Sequence, residues 1–562
     1  MSNTSNLDLE RPDLGDTDWH TSLNSNMDKL DSGYGNNVAT VADLPQMYIE
    51  TGTFDHDTGD TITLPVAVDA INEYSVEITA TTGAGTDPEL IWVEKGTTNF
   101  VVKCNGNNTT DTFDATIYYI GDIASYGGSI YRRWYVSPDA GIADHGDTAE
   151  TGSFAWVVDQ IGATLSTVEL PGNKTYTITT ATAVPSNVNI IPQKGAVFGG
   201  AGTLTFDNPD QIAAQQKQVI FGSSITVVFT NSGTAHAGWL DTTDIGDNIN
   251  TLWGWGAKKV ILPAGSFSYA TTIEVPPDNY QRTLIGQGVD ATTITYSGSA
   301  NAMECVGTAT GTRAHVVMED FKLVGQVLAT NGLKIDLGTR KVDISRLFIT
   351  GFTHVSAKGL YIDSAQGDGW TNIMSINDCI ISGNTFGLYA DNANIFNVYG
   401  GVIESNVTNN LYIVDCRNPQ FFGVTIQGCT TGTIANRVIA SGRDGRGPSF
   451  FGCWFEEPTS LTCLKIEATA SWNLILVNFY GCEITSQITS GSDSYAVYLD
   501  DSAGAKVSKA LFSGCYIRAT NAGAGDGTGI YTDGANCTAW VEAVTYSCDI
   551  DSAGAGTVTI DS

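Results

Sequence analysis

Apolar and polar residues alternate with a period of two along most of this chain, in short runs separated by Gly, Asp, Asn and Ser. Such a period marks strands whose side chains point in turn to opposite faces. In the C-terminal half the runs repeat. One motif recurs as PheLysLeuVal (321–324), LeuPheIleThr (347–350), CysIleIleSer (379–382), GlyValIleGlu (401–404), ValThrIleGln (424–427), CysTrpPheGlu (453–456), CysGluIleThr (482–485), CysTyrIleArg (515–518) and CysAspIleAsp (548–551). A second interleaves as GlyLeuLysIleAsp (332–336), GlyLeuTyrIleAsp (359–363), GlyLeuTyrAlaAsp (387–391), CysLeuLysIleGlu (463–467), AlaValTyrLeuAsp (496–500) and GlyIleTyrThrAsp (529–533). The spacing runs from 22 residues (379 to 401) to 33 (482 to 515), which is the solenoid range. Two registered strand motifs per repeat, with no helix between them, predict a coiled ladder of parallel strands, a parallel β-helix. Cys453, Cys482, Cys515 and Cys548 are predicted to stack as one inward ladder, with an Ile/Leu/Phe column two residues later.

Upstream, a unit occurs twice. SerPheAlaTrpValVal (153–158), ThrValGluLeuProGly (167–172) and ThrTyrThrIle (175–178) are matched by AsnIleAsnThrLeuTrp (248–253), LysValIleLeuProAlaGly (259–265) and TyrAlaThrThrIle (269–273). Each reads as an amphipathic helix followed by two strands. Residues 36–122 hold alternating segments divided by Gly/Asp/Asn turns and predict a small β-sandwich. Residues 1–35 form a leader in which Trp19, Leu23, Met27 and Leu30 recur at helical spacing. A helix that short needs a partner to be stable. The expected order is therefore a helical leader (1–35), a sandwich (36–122), a linker carrying Arg132 and Arg133 (123–150), an opening unit of the β-helix (151–245) and the β-helix body (246–562).

Composition narrows the function. Asp and Glu number 60 against 27 Lys and Arg, a net charge of −33. That surface repels phosphate backbones, so no nucleic-acid partner is expected. No apolar run approaches a membrane span, so no membrane insertion is expected either. Residues 1–18 are polar and acidic, unlike a secretory signal. The 11 cysteines form no CxxC pair and no Cys/His cluster, which argues against zinc and for buried thiols. No spaced oxygen-ligand loop suggests calcium. No cofactor or metal is expected.

With the ladder, the doubled LeuPro(Ala)Gly units and the GlyCysTrpPheGlu strands in view, the chain resembles bacteriophage tailspikes and tail fibres of the pectate-lyase-like superfamily. The leader AspTrpHisThrSerLeuAsnSerAsnMetAspLysLeuAsp (18–31) is similar to their N-terminal attachment segments. The resemblance implies a right-handed parallel β-helix, a homotrimer, docking on phage tail or portal-proximal virion proteins through the N-terminus, and binding or cleavage of a host capsule or lipopolysaccharide glycan. It places the protein in the virion. ValThrIleAspSer (558–562) reads as another strand of the ladder rather than as a C-terminal trimerisation domain.

Hydrolysis of a glycosidic bond needs two carboxyl groups across the bond. If 401, 424, 453 and 482 point inward, the outward column three residues later holds Glu404, Gln427, Glu456 and Thr485. Glu404 and Glu456 are then two strands apart, roughly 9–10 Å at the backbone. The neighbouring outward column holds Val402, Thr425, Trp454 and Glu483. Trp454 offers a flat apolar face to a sugar. Glu456 is the expected general acid, with Glu404 or Glu483 activating water. Glu457, Arg443 and Arg446 are expected substrate contacts, the arginines suited to a carboxylate. A single outward Glu is ordinarily just solvated; the combination on one face is what points to chemistry. A lyase acting through Arg443, Arg446 or Lys465, and a fibre that binds without cleaving, are the alternatives. A further outward column, Lys334, Tyr361, Tyr389, Tyr412, Lys465, Tyr498 and Tyr531, suits subunit or cross-strand packing. Asp363, Asp391, Asp500 and Asp533, which follow it, read as turn residues.

Overall fold

The computed structural model describes residues 132–136, 153–163, 165–276, 281–305, 315–336, 340–363, 372–431, 433–440, 447–458, 462–469, 474–488, 493–501, 507–521, 527–546, 549–551 and 556–561, and by backbone alone the strands at 2–3, 10–11, 47–53, 60–63, 74–82, 91–95, 99–104 and 112–119. The chain divides into two compact units, residues 1–130 and 131–562.

In the first unit Met47–Thr53, Thr112–Tyr119 and Tyr74–Thr82 form one antiparallel sheet. Asp60–Thr63, Asn99–Cys104 and Ile91–Lys95 form a second. The leader residues Trp19, Leu23, Met27 and Leu30 lie outside the described residues.

The second unit is a parallel β-helix. It starts earlier than the sequence suggested, because Arg132–Tyr135 already pairs in parallel with Ser166–Glu169. The tail of the expected linker is thus a strand. Half-buried Trp134 and fully buried Val136 stand two residues apart along it, the period of a strand. The stretch to residue 229 is likewise coiled: Ser166–Leu170 pairs with Val188–Pro192, Thr175–Thr177 with Val197–Gly199, and Ala181–Val184 with Thr203–Phe206. Two helices interrupt the coils. Phe154–Ile161 is capped by the Ser153 hydroxyl, which accepts from Trp156 N at 3.2 Å, and it buries Phe154, Val157, Val158 and Ile161. Ile245–Gly254 is capped by Asp244, which accepts from Gly246 N at 2.8 Å and Asp247 N at 3.1 Å. Its second carboxylate oxygen accepts from Ala270 N at 2.8 Å and ties the helix to the coil beneath.

Most coils of the body have three strands, where the sequence motifs indicated two (in two coils the first and second run together as His315–Val324 and Arg340–Thr350). In one coil they are Ile395–Tyr399, Val402–Glu404 and Asn409–Val414; in the next, Gln420–Phe422, Thr425–Gln427 and Ile434–Ala440. First and second strands join one 22-stranded sheet, and third strands form an 11-stranded sheet. The recurring motifs mark the second and third strands. The first carries its own sign, an apolar or aromatic pair or PheSer before glycine: ValTyrGly (398–400), PhePheGly (421–423), PhePheGly (450–452), PheTyrGly (479–481) and PheSerGly (512–514). Its glycine turns the corner into the second strand with φ near +60° at Gly400, Gly423, Gly452, Gly481 and Gly514.

The register also reassigns one motif. Asp549–Asp551 pairs with Thr528–Tyr531 and so belongs to the third-strand sheet. Thr545 stands opposite Tyr516, so Val544, not Cys548, continues the cysteine column.

The interior is largely apolar and stacked. Phe421, Phe450, Phe479 and Phe512 are all buried. Their ring centroids lie 4.8, 5.1 and 4.9 Å apart in turn. One inner corner is polar: Asn384, Asn406 and Asn410 are fully buried. Asn384 Nδ2 donates to Asn406 Oδ1 at 3.2 Å, and Asn406 Nδ2 to Asn410 Oδ1 at 2.9 Å. A Cβ at Gly387 would stand 2.6 Å from the Asn406 amide, which is why that motif begins with glycine.

Candidate functional site

The second strands carry the predicted columns in the predicted register. Val402, Thr425, Trp454, Glu483 and Tyr516 stand in one outward column. Glu404, Gln427, Glu456, Thr485 and Arg518 stand in the next. Trp454 is 44% exposed. Glu483 and Arg518 are exposed, and Glu404 and Glu456 are half-buried.

The two carboxylate pairings differ in what lies between them. Gln427 sits in register between Glu404 and Glu456, and its Nε2 donates to Glu404 Oε2 at 2.8 Å. An amide therefore occupies the gap that a water would need. Glu483 lies one strand over from Glu456 and two residues back, beside Trp454. The backbone separation there is roughly 8 Å, and among the described residues no side chain is bonded between the two carboxylates as Gln427 is beside Glu404. Trp454, Glu456 and Glu483 thus form a contiguous group, and Glu404 stands apart.

Glu457 is not a surface residue. It is fully buried and accepts from Cys429 N at 2.9 Å. The strand Trp454–Glu457 runs one residue longer than Thr425–Gln427, so the alternation continues and turns Glu457 inward, where no solvent-borne substrate reaches it. Arg443 and Arg446 lie outside the described residues. Lys465 is on the third-strand face, paired with Glu467 at 2.8 Å and Asp500 at 2.7 Å. Arg518, opposite Thr485, was not singled out from the sequence, although CysTyrIleArg holds the same phase as CysTrpPheGlu.

A stack of aromatic rings borders this face across the glycine corner. Tyr399, Phe422, Phe451 and Tyr480 have centroids 5.0, 4.9 and 5.1 Å apart, with planes within 13° of parallel. The inner rings, Phe422 and Phe451, are stacked on both faces, while the end rings Tyr399 and Tyr480 are 40% and 37% exposed. The stack packs the ladder.

The third-strand face has a different chemistry. Lys334, Tyr361, Tyr389, Tyr412, Arg437, Lys465, Tyr498 and Tyr531 share one column. Arg437 was missed because AlaAsnArgVal lacks the Gly/Cys–Leu opening of its neighbours. The following acids are not turn residues: they end the strands, and Asp363 and Asp500 pair with the cations of the column. Lys334 reaches Asp336 at 2.7 Å, Glu304 at 3.4 Å and Asp363 at 3.7 Å. Arg437 pairs with Glu467, and Tyr498 donates to Asp533 at 2.9 Å. Asp363 and Asp391 are directly opposite on adjacent strands. Burial, then the charges of Asp363 and Asp415, push the Asp391 carboxyl above its ordinary value.

Among the described residues no cluster of His, Cys, Asp or Glu is arranged to hold a metal. No helix among them is long and apolar enough to cross a membrane.

No family model matches the sequence, and no curated protein matches it. Among solved structures the chain is similar to ORF18 of Geobacillus virus E2, at 14% identity over 54% of this chain and 52% of that one, TM-score 0.28. The match spans about half the length of that viral protein. It is similar to the A-module of mannuronan C-5 epimerase AlgE4 from Azotobacter vinelandii, at 16% identity over 56% and 96%, TM-score 0.31. It is also similar to the catalytic unit of a GH87 α-1,3-glucanase from Streptomyces thermodiastaticus strain HF3-3, at 11% identity over 92% and 86%, TM-score 0.24. At these scores the likenesses do not bear on what this chain binds. The β-helix stands on its own strand register.

Proposed function

We propose that this chain is a phage tailspike whose β-helix binds and hydrolyses a host surface polysaccharide. The observation that carries the reading is the exposed Trp454 beside Glu456 and Glu483 on one open sheet face. In this mechanism a sugar ring packs on the Trp454 indole. Glu456 gives its proton to the glycosidic oxygen as that bond breaks. Glu483 takes a proton from a water attacking the opposite face of the ring, and the anomeric configuration inverts. Glu404, held by Gln427, positions this column rather than reacting. The protein works as a homotrimer, with its leader docked on virion tail proteins and its glycan ligand drawn from capsule or lipopolysaccharide.

A second location for the same chemistry has its own support. Asp363 and Asp391 are directly opposite on adjacent strands, roughly 5 Å apart at the backbone. The raised Asp391 carboxyl suits an acid, and Tyr361 and Tyr389 flank the pair.

Reducing-end release from purified host capsule or lipopolysaccharide tests both. Release lost in Glu456→Gln and in Glu483→Gln, with the fold kept, supports the Trp454 face. Release kept in both but lost in Asp391→Asn moves the site to the third-strand face. A product absorbing in the ultraviolet as an unsaturated uronate identifies a lyase. Binding with no release in any form leaves a receptor-recognition fibre.

A further inference from the structure

Three thiols stand in line inside the coils that carry Trp454 and Glu483. The register of Trp454, Glu483 and Tyr516 puts the residues just before them, Cys453, Cys482 and Cys515, at equivalent positions on consecutive coils. Their backbones are bonded directly: Glu483 N donates to Cys453 O at 2.9 Å and Tyr516 N to Cys482 O at 2.8 Å. Each thiol is 1–2% exposed. Each makes the same pair of contacts. Cys453 Sγ donates to Phe421 O at 3.5 Å and Phe451 O at 3.6 Å, Cys482 Sγ to Phe450 O at 3.5 Å and Tyr480 O at 3.6 Å, and Cys515 Sγ to Phe479 O and Ser513 O at 3.5 Å. The matching carbonyl contacts set the three sulfurs in one column, with Cys482 between its two neighbours.

Adjacent parallel strands are roughly 4.8 Å apart. A disulfide needs Cα atoms about 4.4–6.8 Å apart, and none forms beyond about 7 Å. Cys482 therefore reaches either neighbour, whereas Cys453 and Cys515, two coils apart, do not reach each other. The cover is thin on one side. Gly452 and Gly481 immediately precede the first two thiols, are exposed, and have nothing within 4 Å of where a Cβ would stand. The neighbouring Cys482 thiol also holds the Cys515 thiol down, at about 7, and lowers that of Cys453.

We propose that Cys453, Cys482 and Cys515 form an oxidative staple in which Cys482 always supplies one sulfur of a single disulfide between neighbouring coils. The oxidant is a peroxide. A flanking thiol attacks it, becomes a sulfenic acid and releases one water. The Cys482 sulfur then attacks the sulfenic sulfur, and its proton leaves with the hydroxyl as a second water. The peroxide gains two electrons and each cysteine loses one. The remaining flanking thiol stays reduced. This inference does not depend on the glycan reading.

The test treats the full folded chain with hydrogen peroxide, blocks the remaining thiols with an alkylating agent in denaturant, and maps peptides by mass spectrometry. The expected result is a loss of two hydrogens per chain and a disulfide joining Cys482 to Cys453 or to Cys515. Cys379, whose column neighbours are Leu347 and Gly401, is expected to be alkylated in full. Cys453→Ala is expected to shift the bridge entirely to Cys482–Cys515. Cys482→Ala is expected to abolish it, and Cys453→Ala/Cys515→Ala, which leaves Cys482 alone, is expected to do the same should the first variant fold poorly. Full alkylation of all three thiols after peroxide, or a bridge that omits Cys482, overturns the proposal.

Discussion

Trp454 and Phe455 are consecutive residues with opposite fates. The first is 44% exposed and the second wholly buried, because successive side chains of a strand point to opposite faces. Trp454→Ala is expected to weaken glycan binding while leaving unfolding free energy within about 0.5 kcal/mol, as for an exposed site. Phe455→Ala, cut from the packed interior, is expected to cost about 3–5 kcal/mol. Titration calorimetry with a host oligosaccharide and denaturant unfolding separate the two; equal stability losses would refute the assigned faces. Asp391 gives a second residue-scale prediction. Its carboxyl is raised by burial and then by Asp363 and Asp415, so the protonated form favours the fold. That stability is complete below the unfolded carboxyl value of about 3.9 and is lost as pH rises through the raised folded value. Asp391→Asn is therefore expected to raise the melting temperature at pH 7 and to give no gain at acid pH. A melting curve at each pH checks it, and a loss at pH 7 would mean that the ionised carboxylate is what the fold prefers.

At the scale of the element, the corner between first and second strands imposes a left-handed backbone on whatever residue stands there. Gly400, Gly423, Gly452, Gly481 and Gly514 adopt it, and so do Arg346, Asp378 and Ala543. Nothing lies within 4 Å of a Cβ at Gly452, so a substitution there meets backbone strain alone. Gly452→Ala is expected to cost about 1–2 kcal/mol. Gly452→Asn is expected to cost less, since Asn and Asp visit this region routinely, as Asp378 does at the equivalent corner. Chemical denaturation of the two variants ranks them, and the reverse order would place the cost in packing. The same element explains what was legible from sequence. Second strands alternate cleanly and third strands recur between fixed residues, so their motifs, their register and the Glu404, Trp454, Glu456 and Glu483 columns could be read directly. First strands such as Gln420–Phe422 and Ser449–Phe451 are no shorter than the second strands, but they carry no fixed Gly/Cys opening or acidic close to mark a repeat. Glu457 was misplaced for a different reason. It was grouped with the outward Glu456 beside it, yet the alternation begun at Cys453 continues through Phe455 and carries Glu457 inside. No sequence signal measures the Gln427 bond that sets Glu404 apart, because it depends on side chains 23 residues distant in the chain.

For the molecule as a whole, the β-helix behaves as a stack in which each coil meets only its neighbours, and its stability is a sum of coils and the interfaces between them. The register defines where one coil can be removed. Asn397, Gln420 and Ser449 follow one another in a column of first strands. Deleting residues 420–448 therefore removes one complete coil and brings Ser449 opposite Asn397, Phe450 opposite Val398 and Trp454 opposite Val402. Apolar positions meet apolar positions, and the strand ladder closes. This variant is expected to keep its strand content by circular dichroism and to melt cooperatively at a lower temperature. Deleting 420–433 removes only the first and second strands of that coil and sets the third-strand residues Ile434–Ala440 against the wrong face. It is expected not to fold. The whole-coil deletion also places Glu456 directly opposite Glu404, with no Gln427 between them. Two carboxylates roughly 5 Å apart raise one another's pKa, so this variant is expected to lose stability between acid and neutral pH more steeply than the parent chain. If both deletions unfold alike, the coils are not independent units. If the whole-coil variant folds without the added pH dependence, the outward assignment of that column is wrong.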